Sequence, residues 1–287
     1  MEKYRNEDGF IDINSLIEME STKIKYLNRV KTKFCLTINE GRYFFKPVKH
    51  REYLYRELIA EELAKDFNIP CAHYDIAVFN DFTGVISKDI FKKYDNHFYL
   101  SQLLITEKYN NLEDIWDMLL LSYRDESIVE KLMKQLVDIF MFDVLIGNTD
   151  RHSENMELLE NENGVNFSPI YDNLFMLKVD AMKYGIYSLT VDRDDTESKI
   201  RHDENSNLLY RFLNVSDRSY EEIFKSKLWI ISEENISKAI SRVEKRIKCE
   251  IDEDIKESIK GDFAMNNMYI NRVLKRVDEK KAGLIWI

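Results

Sequence analysis

The stretch Asp143-Val144-Leu145-Ile146-Gly147-Asn148-Thr149-Asp150-Arg151-His152-Ser153-Glu154-Asn155, answered by Ser168-Pro169-Ile170-Tyr171-Asp172-Asn173, decides how this chain is read. An apolar helix over 128–146 delivers the chain to Gly147-Asn148-Thr149, which breaks it. A polar cluster follows and returns into a short apolar strand. Asp150 is suited to accept a proton from an attacking hydroxyl, while Asn155 and Asp172 offer oxygens that suit magnesium on nucleotide phosphates. Each residue alone has an ordinary reading: Asp and Asn cap helix-end loops, and Asp172 can serve a turn or an N-cap. Together, with a short hairpin that would return Asp172 beside Asn155, they point to phosphoryl transfer.

Working outward, residues 33–38 and 42–46 flank Asn39-Glu40-Gly41 and read as a hairpin closed by Pro47. Leu54, Leu58, Ile59, Leu63, Ala64 and Phe67 recur at helical spacing over 52–67, and Asn68-Ile69-Pro70 ends that helix. Short strands are expected at 74–79 and 84–87, joined by residues 80–83. Lys46 closes an aromatic strand, and Glu57 lies in the first half of the next helix. A strand lysine held by a helix glutamate is the pair that grips the α- and β-phosphates of a nucleotide. From about residue 90 the pattern turns helical, over 112–122, 128–146, 218–226, 233–246 and 251–278. Strands at 156–159 and 165–167 bracket the turn Asn161–Gly164. The expected class is α+β, with a small β-rich nucleotide-binding lobe over 1–88 and a larger helical lobe over 89–287 carrying the catalytic loop and metal site.

Composition narrows the possibilities. The 287 residues are 44% hydrophobic and 12% aromatic, enough for a sizeable core, and only 8 Gly and 3 Pro oppose long flexible loops. A formal charge of −10 counts against direct nucleic-acid binding. Cys35, Cys71 and Cys249 have no metal-ligand or CxxC spacing and read as reduced thiols. No N-terminal apolar core of a signal peptide and no membrane-length apolar run is present, so the expected place is the cytoplasm.

These pieces resemble the HipA-like kinases, bacterial serine/threonine kinases distantly similar to eukaryotic protein kinases and phosphatidylinositol kinases. The matching residues are Tyr43-Phe44-Phe45-Lys46-Pro47, Glu57–Ala64 running into Asn68-Ile69-Pro70-Cys71-Ala72, Gly84-Val85-Ile86-Ser87-Lys88, the Asp150-to-Asn155 loop, and Ser168–Asn173. The resemblance implies a two-lobed protein-kinase-like fold using ATP and Mg2+. It makes Asp150 the catalytic base, Asn155 and Asp172 the magnesium ligands, Lys46 the phosphate-binding lysine and Glu57 its partner. His152 fits the family's Asp-x-His pattern as a residue that holds the loop. It places the phosphate-covering loop at Glu20–Lys25 and a hinge at Gly84–Lys88, giving Ser21, Thr22, Ile86 and Ser87 as nucleotide contacts. Residues 173–201 would form the activation segment.

The chain departs from the family in two respects. Only about 45 residues precede Lys46, which fits a short branch without the additional N-terminal subdomain. The expected phosphate-covering loop also contains no glycine. The implied activity is transfer to a protein serine or threonine, with a toxin-like role and a small DNA-binding antitoxin as partner. The rivals are a small-molecule or lipid kinase, and a pseudokinase or interaction module. No basic amphipathic face for membrane docking is evident.

Overall fold

A computed structural model describes residues 2–20, 22–27, 33–38, 41–91, 94–103, 112–148, 151, 155–173 and 231–281. The chain divides into two compact units, each assembled from separated stretches. The first comprises Met1–Tyr94, Pro169–Leu174 and Glu234–Ile259; the second comprises Asp95–Ser168, Phe175–Glu233 and Lys260–Ile287.

The first unit is built on six strands: β1 (Ile11–Asp12), β2 (Thr22–Tyr26), β3 (Phe34–Ile38), β4 (Gly41–Pro47), β5 (Tyr74–Phe79) and β6 (Phe82–Lys88). Their order is β1-β5-β6-β4-β3-β2. Only β1 runs parallel to its neighbour, pairing Ile11 with Ala77; the other pairings are antiparallel. Aromatic residues on the strands fill one face. Phe34 stacks on Phe45 with ring centres 4.9 Å apart and meets Phe79 edge-on at 4.7 Å. Helix α1 (Ile13–Met19) closes that face with Ile13 and Leu16, which are fully buried. Its start is fixed by Asp12, whose carboxylate accepts from the backbone N–H of Asn14 and Ser15 at 2.9 and 3.3 Å.

Helix α2 (Arg51–Asp66) buries Leu54, Leu58, Ile59, Leu63 and Ala64. Beyond it Asn68 takes a left-handed φ of 56°, a common way to end a helix. Unusually for charged groups, Arg56, Glu57, Glu61 and Glu62 are also buried. Glu61 and Glu62 are compensated from helix α6 (Glu233–Ile247): Arg242 Nε donates to Glu62 at 3.0 Å, and Arg246 Nη1 lies 2.9 Å from Glu61. The register of β4 on β6 sets Lys46 opposite Val85 and Pro47 opposite Gly84. A β-carbon at position 84 would collide with the Lys46 carbonyl oxygen and come within 2.8 Å of Pro47 Cα, so glycine allows the close approach of the two strands.

The second unit carries the antiparallel sheet β7-β8-β9, formed by Asn96–Tyr99, Glu157–Asn161 and Gly164–Phe167. Helices α3 (Leu100–Leu103), α4 (Leu112–Tyr123) and α5 (Glu126–Ile146) accompany it. Side chains tie α5 to β9: Gln135 Oε1 accepts from Phe167 N–H at 2.9 Å, and Lys131 Nζ donates to the Val165 carbonyl at 3.0 Å. Helix α7 (Glu253–Lys281) belongs to the first unit up to Ile259 and continues in the second. No helix among the described residues is long and apolar enough to cross a membrane.

Several expectations change. Thr22–Lys25 is not a phosphate-covering loop but part of β2, hydrogen-bonded along Cys35–Ile38, because its alternation of exposed and half-buried residues suits a sheet edge. Gly84–Lys88 is not a hinge: it lies within β6, paired on both sides by β4 and β5. Phe82 and Thr83 belong to that strand, leaving Asn80 and Asp81 as a two-residue turn with Asn80 at a φ of 51°. Beyond the two strands expected after residue 90, a third, β7, pairs with β8 where the pattern reads as turning helical. Residues 39–40, 218–226 and 282–287, and the expected activation segment beyond Asn173, lie outside the described residues.

Candidate active site

In the first unit, β4 carries Lys46 outward and its ammonium donates to Asp172 Oδ1. The two residues are 126 positions apart in sequence. Their side chains are 29% and 31% exposed, so solvent and ligands reach the pair. The segment bearing Asp172 is fixed by the main chain. Ile170 forms a parallel bridge with Cys71, its N–H donating to the Pro70 carbonyl and its carbonyl accepting from Ala72 N–H, both at 2.8 Å. Tyr171 packs edge-on against Phe91 at 6.2 Å. Asp172 has a φ of 58°, and its N–H donates to the Tyr74 hydroxyl at 3.1 Å. Asn173 is fully buried.

Glu57 stands behind this pair on α2, 1% exposed. Burial pushes its carboxyl up to about 8, and the negative charge of Asp172 adds to the effect. Lys46, the Tyr74 hydroxyl and the Asn173 N–H all work in the opposite direction. Its Oε2 finds no hydrogen-bond partner. The Lys46 ammonium therefore bonds Asp172 and acts on Glu57 through charge alone.

In the second unit, α5 ends at Gly147, which takes the left-handed φ of 66° expected just past a helix. Asp143, fully enclosed, accepts a two-pronged interaction from Arg151: Nε to Oδ2 at 2.9 Å and Nη2 to Oδ1 at 3.0 Å. Asn148 adds its side-chain N–H to Oδ1 at 2.9 Å and its backbone N–H to the Asp143 carbonyl at 2.8 Å. Arg151 Nη1 also points to the Asn155 carbonyl at 3.5 Å. Burial pushes the Asp143 carboxyl up, and Arg151 and Asn148 pull it back. From α7, Asn266 Nδ2 donates to the Leu145 carbonyl at 2.8 Å and satisfies one acceptor of the last turn of α5. These bonds brace Asn148 and Arg151 against the end of α5.

Of the residues expected from sequence, Lys46, Glu57 and Asp172 gather within one unit. Asn155 sits half-buried in the second unit, beside the brace. Asp150, His152 and Ser21 lie outside the described residues. Thr22 is on the edge strand β2, its hydroxyl donating to the Glu20 carbonyl at 3.4 Å. Ile86 is buried in β6 and Ser87 half-buried beside it. The sequence reading did not single out Tyr74, Asp143, Asn148 or Arg151. For Asp143 a signal existed, a single carboxylate inside Phe140-Met141-Phe142-Asp143-Val144-Leu145, which must find a buried partner. Tyr74 looks like any strand aromatic.

The fold is similar to that in "Crystal structure of A Helicobacter pylori proinflammatory kinase CtkA", with a TM-score of 0.60 at 18% identity, over 93% of this chain and 99% of that one. A second match is to the HipA of Shewanella oneidensis MR-1, solved with HipB and operator DNA as a toxin–antitoxin system. It has a TM-score of 0.44 at 16% identity, over 93% of this chain and 66% of that one. No curated protein sequence matches the chain. The HipA-like C-terminal domain, by contrast, matches residues 29–250, a span that takes in Lys46, Glu57, the braced loop and Asp172, and the chain belongs to that family.

Proposed function

We propose that this protein is an ATP- and Mg2+-dependent kinase that phosphorylates a serine or threonine of a protein. The observation that carries the reading is the meeting of Lys46 with Asp172 in front of the buried Glu57. Lys46 is placed to grip the nucleotide phosphates, with the Glu57 carboxyl buried behind it. Asp150 would take the proton of the attacking hydroxyl, next in sequence to Arg151, whose guanidinium is held by Asp143. Asp172 presents a carboxylate that is one-third exposed and already faces a cation, a hard donor that fits magnesium, and the family resemblance makes Asn155 the second ligand. Bound magnesium would neutralise charge developing on the phosphates. The family resemblance also supports a small DNA-binding antitoxin as partner.

The test is phosphate transfer from labelled ATP with magnesium to a generic protein acceptor, comparing wild type with Asp150→Asn and Asp172→Asn. The reading expects label on the chain or acceptor with wild type and none with either variant. Tight ATP binding without transfer would favour a small-molecule substrate. Full activity of Asp172→Asn would refute the site.

A further inference from the structure

Position 172 is a non-glycine residue in the left-handed region, a strained conformation that persists only where the surroundings hold it. Two kinds of restraint reach it. The ion pair with Lys46 restrains the carboxylate. A hydrogen bond restrains the backbone separately: Asp172 N–H donates to the Tyr74 hydroxyl at 3.1 Å. Tyr74 is 6% exposed, and burial followed by the charge of Glu57 pushes its hydroxyl well above the ordinary value. The hydroxyl therefore keeps its proton while it accepts from Asp172.

We propose that Tyr74 is a positioning residue for Asp172, its hydroxyl locking the left-handed backbone that aims the carboxylate toward nucleotide-bound magnesium. This rests on the reading of Asp172 as a magnesium ligand. Tyr74 does not touch the nucleotide or the metal: it acts through the peptide N–H of residue 172. Its ring also fills space in the buried sheet, so the hydroxyl has to be separated from the ring. Tyr74→Phe does this, removing one oxygen and leaving the packing.

The experiment measures the gain in affinity for a fluorescent ATP analogue when magnesium is added, for full-length wild type, Tyr74→Phe and Asp172→Asn. Peptide-resolved hydrogen exchange over residues 170–173 runs in parallel, and the unfolding midpoint checks each fold. Wild type should show a magnesium gain that Asp172→Asn loses. Tyr74→Phe should lose about tenfold of that gain, keep its metal-free affinity, and exchange the amide of residue 172 about tenfold faster, the effect of one lost hydrogen bond. A wild-type magnesium gain and wild-type exchange in Tyr74→Phe would reduce Tyr74 to packing, while loss of the gain in Asp172→Asn would leave the site reading standing. An intact gain in Asp172→Asn would overturn that reading and this proposal with it. Should Tyr74→Phe not fold, wild-type exchange decides: a protected amide at 172 supports the restraint, and an unprotected one overturns it.

Discussion

Glu57→Gln separates the charge of the buried carboxylate from its shape. The folded-state value is pushed up to about 8 against an ordinary 4.5. Between those values the folded chain retains a proton that the unfolded chain has released. Stability therefore falls as pH rises through this window, by about 1.4 kcal/mol per pH unit. The whole interval amounts to about 5 kcal/mol, absent below pH 4.5 and complete above pH 8. Glutamine fills the same volume, keeps an oxygen for Tyr74 and Asn173, and has nothing to ionise. The variant-minus-wild-type difference in unfolding free energy should therefore grow by about 2–3 kcal/mol from pH 6 to pH 8, with every other titrating group cancelling. Urea unfolding of nucleotide-free protein at several pH values measures it. A carbon-13 titration of the glutamate side chains, assigned with the same variant, should show one carboxyl titrating near 8. A difference that is flat with pH, together with a Glu57 signal titrating in the ordinary range, would refute the argument.

The buried brace behaves differently. Arg151→Met alone leaves Asp143 without its main partner and should destabilise by about 3–5 kcal/mol, whereas the double change with Asp143→Leu should recover most of that loss in urea unfolding. Lys46→Met should cost at most about 1 kcal/mol of stability, since both members of its ion pair are about 30% exposed, yet lower ATP affinity at least about tenfold in calorimetry. For Glu61, burial pushes the carboxyl up, but His73, Arg246 and Lys65 together hold it down at about 2. Its contribution, about 3 kcal/mol, is present above pH 4.5 and lost as pH falls toward 2. Glu61→Gln should therefore be less stable than wild type at pH 7, with the gap closing in acid as followed by circular dichroism.

What could be read in advance followed from how local each signal is. The aromatic runs of β3 and β4 and the apolar spacing of α2 and α5 declare themselves within a few residues, and the structure places these elements within about two residues of expectation. Strand β1 is two residues long and exists only because β5 accepts it in parallel, a partner 66 positions away that no local pattern reveals. Strand β2 carries Lys23 and Lys25 at exposed positions, as a sheet edge does, and the same residues read as a loop. At the candidate site, Lys46, Glu57 and Asp172 were legible because their order and residue types are demanding. The role of Tyr74 depends on one peptide N–H far along the chain, and the partnership of Asp143 with Arg151 on a helix end folding back. Neither relation has a spacing that can be recognised.

The assembly of the first unit from three separated stretches sets a schedule for synthesis. Helix α2 is made early, but Arg242 and Arg246, which neutralise its buried Glu62, follow 180 and 184 residues later. At roughly 5–20 residues per second the ribosome needs on the order of 10–40 s to supply them. Over that interval Glu62 has its neighbour Lys65 but neither of its arginine partners, a natural moment for a chaperone to act. Asp172 also reaches Lys46 only after 126 further residues. Under the proposed function, the chain thus carries an intrinsic delay between making its lysine and completing the site around it.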